Sequence, residues 1–253
     1  MQSLGEQLKV KQQVISTAIV YFKRFYVRNS LKSIDPLLLA PTCIFLASKV
    51  EEFGVISNSR LIQTCQTVVK NKFSFAYPQD FPYRINQVLE CEFYLLEQMD
   101  CCLILYHPYR PLTLYVQDLR ASERSDGKDH SRDNKDELLN LAWTIVNDSY
   151  RTDIPLLYPP HLIAIGKICL TARSLSLTAS TRLTAALHLA CLTQSKDYKQ
   201  WFAELHIDLD KILEISQQIF RLYDVWKNFD EKKEMPALLA KMPKPKTQQA
   251  NQR

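Results

Sequence analysis

The sequence predicts an all-α protein made of two tandem helical units. Three observations carry that prediction. Only 4 of the 253 residues are glycine, and no stretch shows the strict apolar–polar alternation of a half-buried strand. Apolar residues recur instead at intervals of three and four along most of the chain. Finally, Pro36-Leu37-Leu38-Leu39-Ala40-Pro41 is echoed by Pro155-Leu156-Leu157-Tyr158-Pro159-Pro160. Each string follows an aromatic-ended helix (Tyr26; Tyr150) and an aspartate (Asp35; Asp153), and each precedes an apolar helix, the pattern of a duplicated unit.

The elements follow in order. Val10, Val14, Ala18, Phe22 and Phe25 lie on one face of a helix from Lys9 to Tyr26, which the polar Arg28-Asn29-Ser30 ends. Asp35-Pro36 has the form of an N-cap followed by proline at the first helical position. The helix it opens, to about Glu51, is apolar nearly all round, so it should be the buried centre of the first unit. Gly54 is expected to close it, and Ser57 can cap the next helix, which carries Leu61, Ile62, Cys65, Val68 and Val69. After the turn at Pro78 and Pro82, a helix from about Tyr83 to Met99 aligns Ile85, Val88, Leu89, Glu92, Leu95, Leu96 and Met99 on one side.

Pro108 and Pro111 mark a linker, followed by a short helix from Leu112 to Leu119. Residues 120–135 hold many charges and no large apolar side chain, so they read as a solvated loop or a disordered insertion. Helical periodicity resumes with Leu138, Leu139, Ala142, Trp143, Ile145 and Val146. Further helices are expected over about Pro160–Leu192, with an interruption, and over Leu209–Phe229 and Lys232–Lys241. The division is thus a first unit over 1–106, a linker over 107–136 with a charged insertion over 120–135, a second unit over 137–241 and a basic, proline-interrupted, disordered tail over 242–253.

Composition narrows the function. A formal charge of +5 allows contact with acidic partners without demanding it. The 7 cysteines form no C-x-x-C pair, and most sit in apolar helical stretches, as buried thiols do. No apolar run is long enough to span a membrane, and no signal peptide opens the chain, which is expected to be intracellular. Catalysis has little support. His107, His130, His161, His188 and His206 are scattered without a carboxylate or cysteine at ligand spacing, and no glycine-rich phosphate loop exists. Neither cofactor nor metal is expected.

One constellation stands out. Ala47-Ser48-Lys49-Val50-Glu51-Glu52 sets a lysine and two carboxylates at the end of the otherwise apolar helix. The run IDPLLLAPTCIFLASKVEEFG resembles the helix at the heart of a cyclin box, and Glu92 in LECEFYLLEQMD matches the glutamate that works with the lysine of that motif. YFKRFY, FPYRINQVLECEFYLLE, YHPYRPL, AWTIVNDSYRTD, LLYPP, QWFAEL and MPKPK extend the resemblance, which is closest to the C-type cyclins, over nearly the whole chain.

The resemblance implies two tandem five-helix cyclin boxes and a non-enzymatic activator of a cyclin-dependent protein kinase. It implies a kinase interface of Lys49, Glu52, Glu92, Leu96 and Leu103. Lys49 and Glu92 would hydrogen-bond kinase backbone, while the leucines supply apolar contact. Lys23 stands where mitotic cyclins carry an aspartate, which points to the transcriptional branch. The implied partners are the Mediator-associated kinase and other subunits of the Mediator kinase module. The setting is RNA polymerase II transcription in the nucleus, with neither membrane nor direct nucleic-acid binding.

Two departures from the family pattern are expected to matter. Met1–Leu8 corresponds to the end of the first box helix, so the first box lacks most of that helix and the N-terminal helix before it. In addition, the 19 residues from Gly166 to Thr184 interrupt the central helix of the second box. Gly166-Lys167 is what a splice donor reads as when translated, so this segment is expected to be a retained intron that bulges out or weakens the second box. The competing readings are a general transcription factor B-type protein, which would bring a zinc ribbon and a more basic second box, and an inactive isoform or scaffold.

Overall fold

In the computed structural model the described residues are 1–77, 79–125, 132–166, 168, 205 and 207–243. They form α1 (Gln2–Leu8), α2 (Gln12–Arg28), α3 (Pro36–Val50), α4 (Asn58–Lys72), α5 (Ile85–Gln98), α6 (Tyr109–Ser125), α7 (Arg132–Ser149), α8 (Ile154–Leu157), α9 (Leu209–Asn228) and α10 (Glu231–Lys241). The chain is also helical over 160–166, and there is no strand among the described residues. Two compact units result. One is Met1–Leu105 with the described residues from Asn228 on, and the other is Tyr106–Lys227.

The first unit is built around α3. Asp35 caps it as expected, its carboxylate accepting from the Leu37 N–H at 2.9 Å, with Pro36 at the first helical position. Every residue from Pro41 to Ser48 is buried, so the helix has no solvent face in this stretch. It packs between α2 and α5, while α1 lies on α4 and α2. Tyr21, Phe25, Leu39, Ile44, Leu61 and Leu95 are among the largest fully buried side chains of this unit.

Three helix ends show how a glycine-poor chain turns. At α1 the N–H of Lys9 bonds Glu6 and that of Val10 bonds Gly5. At α3 the N–H of Glu52 bonds Lys49 and that of Phe53 bonds Ser48. At α5 the N–H of Asp100 bonds Glu97 and that of Cys101 bonds Leu96. These are Schellman closures, which require a left-handed residue just past the helix. Lys9 (φ 56°), Glu52 (φ 50°) and Asp100 (φ 52°) fill that position. Each bears a cost of about 1–2 kcal/mol that glycine would avoid. Gly54 therefore does not close α3. It has φ 115° but lies two residues beyond the closing position. Ser57 stands at the N-cap of α4, yet its side chain does not accept the capping bond.

Gly5 is required for a different reason. A Cβ there would stand 2.5 Å from Ile15 Cγ1, where α1 crosses α2. Gly5→Ala is expected to destabilise the chain by about 1–3 kcal/mol, because the buried Ile15 must shift. Urea titration of Gly5→Ala against a Gly5→Ala/Ile15→Val variant checks this, and the smaller residue should restore part of the loss.

The second unit departs from the expected outline in two places. The charged stretch is not one loop. Residues up to Ser125 extend α6, and those from Arg132 begin α7. A helix pinned elsewhere by apolar residues can run on as a polar rod, because Arg, Ala, Glu and Lys are good helix formers. Residues 126–131 lie outside the described set. The second proline string also behaves unlike the first. Where Pro36 opens a helix of 15 residues, Ile154–Leu157 makes a single turn. Tyr158 is then extended (φ −124°, ψ 145°), as the residue before Pro159 must be.

Among the described residues of this unit, Ile145, Ile154, Ile163, Ile215 and Ile219 form one buried cluster. Helix continues into the start of the expected insertion. A Cβ on Gly166 would lie 3.2 Å from Ile215 Cγ2, and Ile168 is helical and fully buried. The other residues of the expected insertion, 167 and 169–184, lie outside the described residues. The last helix, α10, groups with the first unit instead of the second, where sequence order had put it. It has no buried residue, so no apolar stripe announces its partner.

Candidate functional site

Lys49 and Glu92 meet. Lys49 sits in the last turn of α3 and Glu92 in the middle of α5, and the packing of those two helices brings the ammonium onto Glu92 Oε1. The pair is asymmetric, with side-chain exposures of 36% for Lys49 and 8% for Glu92. Glu92 Oε1 accepts no aligned hydrogen bond among the described residues, so the Lys49 charge is what offsets its burial. Phe45, one turn earlier on α3, steadies the ammonium from below, its ring centroid 4.4 Å from Nζ.

The other expected residues are distributed around this pair. Glu52 is exposed, in the left-handed position that ends α3. Leu96 and Leu103 are half-buried and pack on the core, so neither is free of a structural role. Leu96 also receives the Cys101 N–H at 3.1 Å, and the Leu103 carbonyl receives the hydroxyl of fully buried Tyr21 at 2.5 Å. The chain leaving α5 is thus pinned at both leucines.

Several residues of the site were not singled out from sequence. Phe93, next to Glu92, is 73% exposed, and Ile104, next to Leu103, is 79% exposed. Phe53 follows Glu52 and is also exposed. The signal for Phe93 lay in the periodicity. Val88, Glu92, Leu95 and Met99 make the buried stripe of α5, whereas Leu89, Phe93 and Leu96 make a second one beside it. Leu89 and Leu96 still pack on the core, and of these three Phe93 is the one turned to solvent. Exposed large apolar side chains beside a charge pair on a rigid helical base suit protein recognition better than catalysis.

The cysteines divide. Cys43, Cys65 and Cys91 are buried as expected, and burial pushes their thiols up, Cys65 to about 12. Cys101 and Cys102 are exposed on the turn after α5, contrary to the expectation of enclosed thiols. Among the described residues no group of His, Cys, Asp and Glu is arranged to hold a metal, and no helix is long and apolar enough to cross a membrane.

Comparison with known proteins places the site in context. Residues 1–104 match the family described as Cyclin, N-terminal domain, and residues 107–227 match Cyclin C-terminal domain. The chain is 58% identical over 246 residues to Cyclin-C of Rattus norvegicus, which covers 97% of this chain and 77% of that one. It is 59% identical over 247 residues to Cyclin-C of Drosophila melanogaster, covering 97% and 80%. Cyclin-C of Caenorhabditis elegans is 32% identical over 241 residues, covering 95% and 74%. Among solved structures, a chain of the CAK complex of Chaetomium thermophilum bound to ATP-gamma-S is similar with a TM-score of 0.64 at 19% identity, covering 94% of this chain and 66% of that chain. A chain of the yeast TFIIK (Kin28/Ccl1/Tfb3) complex follows at 0.58 and 24%, covering 86% and 80%. At these identities the two structures speak to the fold alone.

Proposed function

The chain belongs to the cyclin family, in its C-type branch, and from that premise we propose that it is a non-catalytic subunit that binds and activates a transcriptional cyclin-dependent kinase. The observation that carries this reading is the exposed Phe93 beside the Lys49–Glu92 pair. Such a kinase alone holds its αC helix displaced, so the lysine–glutamate ion pair that positions ATP is open. A rigid surface that fits only the inward αC arrangement shifts the kinase toward activity by its difference in affinity for the two states. Lys49 and Glu92 supply charged hydrogen-bonding groups for kinase backbone at the edge of the contact, and Glu52 lies exposed at the same helix end. Leu96, Leu103 and the newly found Phe93 and Ile104 supply apolar area. The partner we propose is the Mediator-associated kinase, with other subunits of its module, acting on RNA polymerase II transcription in the nucleus.

Reconstitution tests the proposal. Purified chain added to that kinase should raise phosphorylation of a peptide substrate from near zero, and no rise would overturn the reading. Within that assay Phe93→Ala has a defined outcome. Burying a phenylalanine contributes about 1.5–3 kcal/mol, so affinity for the kinase should fall roughly tenfold to a hundredfold. The melting temperature of the free chain should stay unchanged, because Phe93 contributes little to its own core. Titration calorimetry paired with thermal melts reads both quantities.

A further inference from the structure

The carboxylate beside the proposed contact is committed inward. Glu51 directly follows α3, and both its oxygens are taken by α2. Gln13 Nε2 donates to Oε2 at 2.6 Å and Thr17 Oγ1 donates to Oε1 at 2.5 Å. Gln13 and Thr17 are one turn apart on the same face of α2, and Thr17 is fully buried. The backbone then turns at once through left-handed Glu52, whose N–H returns to the Lys49 carbonyl at 3.2 Å. We propose that Glu51 is a positioning residue, clamping the end of α3 to α2 so that Lys49 is held on Glu92 and Glu52 and Phe53 are turned outward. The two adjacent glutamates thereby divide the work, the first facing the fold and the second facing the partner. The Schellman bonds close the backbone of this helix end, but they do not tie it to a neighbouring helix, and Lys49 stands in that last turn. Without the clamp, the ammonium would sample positions away from Glu92.

The inference rests on the kinase-binding reading for one of its two tests and is independent of it in the other. In the free chain, the Lys49–Glu92 coupling is measured by a double-mutant cycle of stability, in the wild-type and in the Thr17→Val backgrounds. The coupling should fall by at least half with Thr17→Val and be restored with Thr17→Ser, which keeps the donor. Unchanged coupling overturns the clamp. With the kinase, Glu51→Ala should weaken binding about tenfold in the wild type and less than twofold once Lys49 is already alanine. A general loss of stability would weaken both backgrounds equally, and that result also overturns the proposal. If Lys49→Ala itself leaves kinase affinity unchanged, the interface reading fails, while the stability cycle still decides the clamp. Glu51→Gln, which retains an acceptor, serves if Glu51→Ala does not fold, and it should rescue most of the affinity.

Discussion

Kinase activation by the Lys49→Ala/Glu92→Ala variant is expected to fall at least a hundredfold, with most of the fold intact. A hydrogen bond from kinase backbone to a charged side chain contributes about 1.5–3 kcal/mol, and here both groups proposed to make one are removed. The single variants behave differently in the free chain. Lys49→Ala leaves the carboxylate of Glu92, nearly enclosed by α3 and α5, without the charge that offsets it. That variant should be the less stable of the two singles, even though partial exposure of Lys49 to solvent softens the effect. Deleting both groups removes the orphaned charge, so the double variant should melt closer to wild type than Lys49→Ala does. Thermal denaturation of the set, run beside the activation assay, separates a lost contact from a lost fold.

Acid should destabilise the second unit through His107. This imidazole is buried, its Nδ1 lies 2.7 Å from the hydroxyl of buried Tyr150, and Tyr109 packs beside both rings. Burial pushes its pKa down from 6.5 to about 4. In the unfolded chain the group titrates near its ordinary value, so between these two pH values the unfolded chain holds a proton that the folded chain lacks. The stabilising contribution of neutral His107 is therefore complete above about pH 6.5 and is lost as the pH falls to about 4. The swing is about 3 kcal/mol. Measured by urea titration at pH 7 and pH 4.5, His107→Gln should lose distinctly less stability on acidification than wild type. Equal losses would show that His107 does not govern the acid response.

How much of this was legible in the sequence depends on the physics of each feature. Asp35-Pro36 announced α3 because capping chemistry is local, and the enclosure of that helix followed from its lack of a polar side. The Lys49–Glu92 meeting was readable only through family resemblance, since nothing local ties residue 49 to residue 92. The helix closures were not readable. A left-handed backbone advertises itself when glycine carries it, and Lys9, Glu52 and Asp100 look like any surface residue. The extension of α6 and α7 into charged sequence was missed because apolar periodicity cannot report on a helix with no face to bury. Phe93 and Glu51 were missed for opposite reasons. One lay hidden in a continuous apolar pattern, and the other looked like half of an exposed acidic pair although α2 holds it from within.

Hydrogen–deuterium exchange of the full chain, with and without its kinase, tests the central claim most directly. Binding through the surface described should slow exchange in the segments 49–54 and 93–104, where Lys49, Glu52, Phe93, Leu96, Leu103 and Ile104 lie. Protection confined to residues after Tyr106, with both of those segments unchanged, would contradict it.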